Sequence, residues 1–272
     1  MSEGQEGGVL NKVGLLQKAH MSEIKENAQL LKELTGLQTE PVGVFLVGAD
    51  TDPQHFTDWE RLKGHRYCQA VMRARLGTAV VLEQNELACP AAAAAFGFRP
   101  LPEGLASGKG LVGFGIVENP ETGKTMFEQM PRLEVGSVKF LALAPLKMVP
   151  FIPDVVVVEG EPEQLMWILL AGLNSVGGKR IHSDTAILQA TCVDATITPF
   201  TEDRINFSYG CYGCREATDM AIEETVLGFP GFMLDPLVRS LEALGEKAIQ
   251  RSRSKIPYKQ LMGKISKNPL KE

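Results

Sequence analysis

The residues of this chain best suited to chemistry are its five cysteines, Cys68, Cys89, Cys192, Cys211 and Cys214. A thiolate can serve as a nucleophile, a redox centre or a metal ligand. Two of them stand in the stretch Ser208-Tyr209-Gly210-Cys211-Tyr212-Gly213-Cys214-Arg215. A strand-like run, Arg204-Ile205-Asn206-Phe207, leads in, and a helix-like run from Glu216 to Glu224 leads out. A strand-to-helix turn offers backbone N–H groups and the positive end of a helix dipole, both of which favour an anion. Cys89 stands in a similar place. It precedes Pro90 and five alanines, and proline suits the first helical position, so Cys89 is expected at or near an N-cap.

The whole chain sets the limits of that chemistry. With 272 residues, a sizeable core can be buried. The residues are 44% hydrophobic and 22% charged, ordinary for a globular protein. A net charge of −5 leaves no basic footprint, so nucleic acid is not an expected partner. Apolar runs such as Leu165 to Leu173 are too short to span a bilayer. The opening Met-Ser-Glu-Gly-Gln-Glu-Gly-Gly has neither the basic nor the apolar region of a signal peptide. A cytoplasmic protein with no membrane association is expected. An odd cysteine count in a chain of this size does not suit a secreted disulfide framework.

The elements around the cysteines read as α+β, with a mixed or antiparallel sheet and helices packed on it. Residues 1–8 are expected to be disordered, 9–255 to form one globular domain, and 256–272 to be a basic, frayed end. A helix is expected over Asn11 to Leu37, and strands over Pro41–Gly48, Thr78–Leu82, Lys139–Ala144, Val155–Val158 and Arg204–Phe207. Further helices are expected from Arg66 to Gly77, Pro162 to Leu173, Thr185 to Thr191 and Pro236 onward, with Val193–Ile197 extended. The Gly/Pro-rich segment 99–125 contains Gly108-Lys109-Gly110-Leu111-Val112-Gly113 and Gly123-Lys124-Thr125. Neither has the strand–helix frame of a phosphate loop. A lid or an edge hairpin is expected there instead.

The cysteines divide into two sets that rhyme. Cys68 to Cys89 spans 21 positions and Cys192 to Cys211 spans 19. Each segment has a strand candidate before its second cysteine and a helix candidate after it. This suggests two related halves, about 40–100 and 139–225. Two thiols from each half would make the usual ligand set of a zinc or an iron–sulfur cluster. A single C-x-x-C does not match the paired spacing of small zinc folds.

Several motifs together resemble one known family. They are Pro41-Val42-Gly43-Val44, Tyr67-Cys68-Gln69 with Ala74 and Gly77, Cys89-Pro90, Ala144-Pro145-Leu146, Pro153-Asp154-Val155-Val156 and Gly210-Cys211-Tyr212-Gly213-Cys214-Arg215. In this order they resemble the prokaryotic family named domain of unknown function 169, from about residue 25 to 255. The resemblance implies a cytoplasmic protein, often of anaerobes, and brings no reaction with it.

Three functions follow from the residues. The first is a redox protein in which Cys68, Cys89, Cys192 and Cys211 bind a [4Fe–4S] cluster, or alternatively zinc. Cys214 is then the spare ligand, and Arg215 offsets the cluster's charge or holds an anionic substrate. The second is a metal-free dithiol enzyme using Cys211 and Cys214. The third is a small-molecule binding protein in which Arg66, Arg73 or Arg215 holds a carboxylate. A small-molecule substrate or a redox partner protein is the expected partner. His65 and His182 are further candidates for a metal, and Glu83, Glu86, Asp194 and Asp219 for a general base. The reaction and the oligomeric state stay open.

Overall fold

A computed structural model describes residues 6–48 and 51–266. Helix α1 (Glu6–Thr35) leads into β1 (Val42–Val47). It begins earlier than the expected start at Asn11, and residues 1–5 lie outside the described residues. Next come β2 (Glu60–Leu62), α2 (Tyr67–Arg75), β3 (Val80–Glu83) and α3 (Pro90–Ala95). Three short helices follow, α4 (Glu103–Ala106), α5 (Lys109–Gly113) and α6 (Pro120–Glu128), and then β4 (Phe140–Pro145). The second half has β5 (Val155–Gly160), α7 (Pro162–Ser175), a π-helix (Ala190–Ile197), α8 (Thr198–Glu202), β6 (Asn206–Ser208), α9 (Tyr212–Ala217) and β7 (Thr225–Pro230). Helices α10 (Leu234–Leu244), α11 (Gln250–Ser254) and α12 (Ile256–Ser266) close the described chain.

The fold is α+β, built on one seven-stranded mixed sheet in the order β2-β3-β4-β1-β5-β7-β6. Only the edge pair β2–β3 is parallel, and the other pairs are antiparallel. Successive strand residues face opposite sides, and both sides are covered. On one side Phe45, Ala142, Val156 and Phe229 meet α1, α7 and α10 through Leu31, Ile168 and Leu237. On the other side Val44, Leu82, Leu143 and Val157 meet α2, α3, the π-helix and all five cysteines. Covering on both faces explains why β1 and β5 are apolar at nearly every position rather than alternating.

Several local expectations are corrected. Segment 99–125 is not an edge hairpin: it folds into the helical cap α4–α6. Its glycines allow close packing: a Cβ on Gly108 would lie 1.9 Å from the Pro120 carbonyl oxygen. Residues 185–189 are not helical, and residues 193–197 are in the π-helix rather than extended. The helix after Cys211 ends at Ala217, well before Glu224. Strands β2 and β7 were not expected. No helix among the described residues is long and apolar enough to cross a membrane.

Candidate functional site

One cavity of about 350 Å³ is lined by Cys68, Cys89, Cys192, Cys211 and Cys214 together. Each thiol reaches it by a different route. Cys68 is the second residue of α2. Cys89 caps α3 and is followed by Pro90 at the first helical position, as its sequence suggests. Cys211 caps α9, and Cys214 lies in the first turn of that helix. Cys192 sits in the π-helix, which packs directly on β7. That contact requires Gly228, where a Cβ would lie 1.8 Å from the Ala195 carbonyl oxygen.

Polar contacts hold the two cysteine turns against each other. Arg66 Nη1 donates to the Gly213 carbonyl (3.1 Å) and to Glu216 Oε2 (3.0 Å). Gln69 Nε2 donates to the Ala217 carbonyl at 3.1 Å. The start of α2 is thereby tied along α9. Beneath them, Tyr67 Oη meets Thr196 Oγ1 at 2.9 Å, and Thr196 Oγ1 donates to the Thr191 carbonyl at 2.8 Å. Thr191 Oγ1 in turn contacts Cys214 Sγ at 3.2 Å.

The sulfurs of Cys211 and Cys214 are 3.0 Å apart. Backbone N–H groups of Ala190 and Cys214 point at Cys211 Sγ, the latter from 3.3 Å. All five cysteines are free, and all but Cys89 are buried. Burial, with Cys89, Cys214 and Cys211 nearby, pushes the Cys192 thiol well above its ordinary range. The contact with Cys214, then burial, raises Cys211. For Cys214 the contact with Cys211 pulls down, while the contact with Cys68 and burial push up, to about 12. These three thiols are therefore neutral near pH 7, and a nearby cation would reverse that. Among the described residues, no three His, Cys, Asp or Glu side chains form a group that could hold a metal ion.

Other expected residues lie elsewhere. Arg215 does not line the cavity. Its guanidinium donates to the carbonyls of Tyr209, Ala221 and Glu224 at 2.6–2.8 Å, which fixes the loop after α9. Arg73 pairs with Glu60 at 2.6 Å. His65 Nδ1 contacts the Lys63 carbonyl, and the His182 carbonyl accepts from Arg204. Glu83 pairs with Arg61, and Glu86 accepts from the Gly64 N–H. Asp219 pairs with Arg75 at 2.6 Å. Asp194 accepts from Thr185 Oγ1 at 2.5 Å, and burial pushes its carboxyl up to about 6. None of these side chains lines the cavity.

Sequence reasoning missed the apolar part of the lining. Leu105, Leu111, Phe114, Ile116 and Phe127 of the cap line the cavity with the thiols, as do Leu188 and Gln189. The apolar residues scattered through 99–128 were the available signal, hidden by the surrounding Gly and Pro. The strained approach to the π-helix was also missed. Ile187 and Gln189 both have φ of 57°, a region that a β-branched residue rarely adopts.

A family model described as "Uncharacterised ArCR", DUF169, matches residues 30–240. The chain belongs to this family. It is also similar to an uncharacterised protein, MJ0308, of the archaeon Methanocaldococcus jannaschii. The two are 32% identical over 225 residues, covering 82% of this chain and 95% of the relative. No solved structure matches. The matched region includes every cysteine and the whole cavity.

Proposed function

We propose that the protein is a cytoplasmic redox protein whose cavity holds a [4Fe–4S] cluster. Cys68, Cys89, Cys192 and Cys211 are the ligands, with Cys214 as the alternative. One observation carries this reading: every cysteine of the chain, from four separate segments, lines one cavity. Packing alone does not call for that. Buried thiols are small apolar groups that serve a core equally well when scattered. A zinc ion would need thiols converging about 2.3 Å from one point, and no group of that kind is present among the described residues. A cluster spreads its ligands over several iron atoms, so its thiols surround it without meeting at a single point. The N–H groups aimed at Cys211 suit it too, because hydrogen bonds to cluster sulfurs tune its potential.

A second reading, a metal-free dithiol enzyme, is favoured by the 3.0 Å contact between Cys211 and Cys214. Against it, such enzymes need a thiolate near neutral pH, and both thiols here are pushed upward. Iron and sulfide analysis of protein purified without oxygen separates the two. Brown protein with stoichiometric iron and sulfide is the expected result. Cys89→Ser and Cys211→Ser should lose bound iron equally, and Cys214→Ser less. Colourless, iron-free protein whose Cys211 and Cys214 are readily alkylated would establish the dithiol reading instead.

A further inference from the structure

We infer that the cavity also admits a small carboxylic acid with an apolar body, its carboxylate on Arg66 and its apolar part between the cap and the thiols. This rests on the reading of the cavity as the functional site and adds the class of molecule it takes. An apolar wall suits the apolar body of a small ligand. Leu105, Leu111, Ile116 and Phe127 supply that wall. Phe114 and Tyr212 line the cavity yet remain 68% and 60% exposed, so two aromatic rings stand uncovered at its mouth. A volume of about 350 Å³ falls at the small end of ligand sites.

Charge decides the polar end of the ligand. Apart from the cysteines, the ionisable side chains reaching the cavity are Tyr67, Tyr212, Arg66 and Glu216. Tyr67 is bonded to Thr196 and fully buried. Arg66 and Glu216 form an ion pair with side chains 38% and 53% exposed, an arrangement worth about 0–1 kcal/mol. An incoming carboxylate can therefore displace Glu216 at little cost. Arg66 stays in place when that happens, because the Gly213 carbonyl also holds it. Gly213 lies between Cys211 and Cys214, so a carboxylate on Arg66 sits beside the thiols. A guanidinium fork matches a carboxylate in a bidentate way. An amine, in contrast, would have to compete with Arg66 for Glu216.

The test is calorimetric titration of the full chain with phenylacetate, 2-phenylethanol and phenethylamine, with iron and sulfide measured in the same samples. Phenylacetate is expected to bind at least about tenfold more tightly than the alcohol. Arg66→Gln should abolish that preference. Glu216→Gln should tighten phenylacetate several-fold, a gain that a misfolded variant cannot produce. Equal binding of acid and alcohol, absence of phenylacetate binding, or no gain in Glu216→Gln would overturn the inference. Iron-free protein that still prefers phenylacetate through Arg66 would refute the cluster and leave the carboxylate site standing. Iron-loaded protein without the preference would do the reverse.

Discussion

On either side of the β1–β5 pair, the strand order β3-β4-β1 is met by β5-β7-β6. The registers agree as well. Val42 opens β1 opposite Pro145, the last residue of β4, and Val155 opens β5 opposite Pro230, the last residue of β7. Each proline leads into a short 3₁₀ turn, Leu146–Met148 in one half and Gly231–Met233 in the other. Each half places a cysteine at a helix N-cap after a strand, Cys89 and Cys211. The halves differ in the segment that brings the other cysteine. In the first, Cys68 rides on the regular helix α2. In the second, Cys192 rides on a π-helix entered through Ile187 and Gln189, both at positive φ. Among the described residues of 40–100, positive φ occurs only at Gly64, Gly77 and Gly97. The first half is an unstrained scaffold. In the second, three non-glycine residues hold positive φ, and two of them, Ile187 and Gln189, lie on the approach to Cys192, the third being Asp203; strain of this kind is common at functional sites.

The largest expected effect tests what holds the π-helix. Two residues before each terminal proline stand Leu143 in β4 and Gly228 in β7. Leu143 fills its side of the core with a buried side chain. Gly228 leaves that space to the backbone of the π-helix. Gly228→Ala would place a Cβ 1.8 Å from the Ala195 carbonyl oxygen. A loss of about 3 kcal/mol or more is expected, at the top of the overpacking range. Urea denaturation measures it. A loss below about 1 kcal/mol would mean that the π-helix moves freely on β7 and that Cys192 has no fixed place.

A second change tests the seam between the halves. Glu159 of β5 is buried against Arg75 of α2, with Oε2 3.2 Å from Nη1. Arg75 also pairs with Asp219 and Glu224, and Arg215 lies within electrostatic reach of Glu159. Burial raises the carboxyl from its ordinary 4.5 to about 7, because the pull of Arg75 does not offset desolvation and the repulsion of Glu224 and Asp219. The folded state thus holds this proton more tightly than the unfolded chain. Stability is full below pH 4.5, falls as pH rises to about 7, and is level above that. The contribution is on the order of 3 kcal/mol across the window. Glu159→Gln should flatten the stability–pH curve between about pH 6 and 7 and reduce its fall at lower pH, where the comparable slope of Asp194 remains. An unchanged slope would show that Glu159 ionises normally and that the halves are not joined by a strained charge.

Much of the framework was legible because it follows simple periodicity. The apolar runs of β1, β4 and β5, Pro162 opening α7 and Pro90 after Cys89 all carry local signals. The misreadings have physical causes. Strand β7 holds Gly228 and Pro230, residues that argue against a central strand, and the packing needs Gly228. Val193–Ile197 has a strand-like composition, yet it lies in a π-helix whose backbone packs on β7 at Gly228. The cap α4–α6 was hidden by its glycines, of which Gly108, Gly110 and Gly123 serve close approach. For the site, the spacing of the cysteines singled out the thiol residues. The apolar wall and Glu216 depend on how the cap and α9 fold back over the sheet, which no local pattern encodes. Arg215 was singled out because it adjoins Cys214, but its side chain turns to loop carbonyls instead.

The smallest expected effect sharpens the contrast in strain, because it predicts opposite signs for two exchanges. Ile187 holds φ of 57° and is 44% exposed. Its N–H bond to Thr185 Oγ1 does not depend on the isoleucine side chain. A left-handed conformation costs a non-glycine residue about 1–2 kcal/mol, while glycine returns about 0.5–1 kcal/mol of that through unfolded-state freedom. Ile187→Gly should therefore stabilise the fold by up to about 1 kcal/mol. Gly77 in the first half has φ of 112° and open space where a Cβ would go. Gly77→Ala meets no clash, only strain, and should destabilise by about 1 kcal/mol. Thermal unfolding of both variants under one condition gives the signs. If Ile187→Gly also destabilises, the approach to Cys192 is held by contacts of the isoleucine side chain. The difference between the halves would then lie in packing rather than in backbone strain.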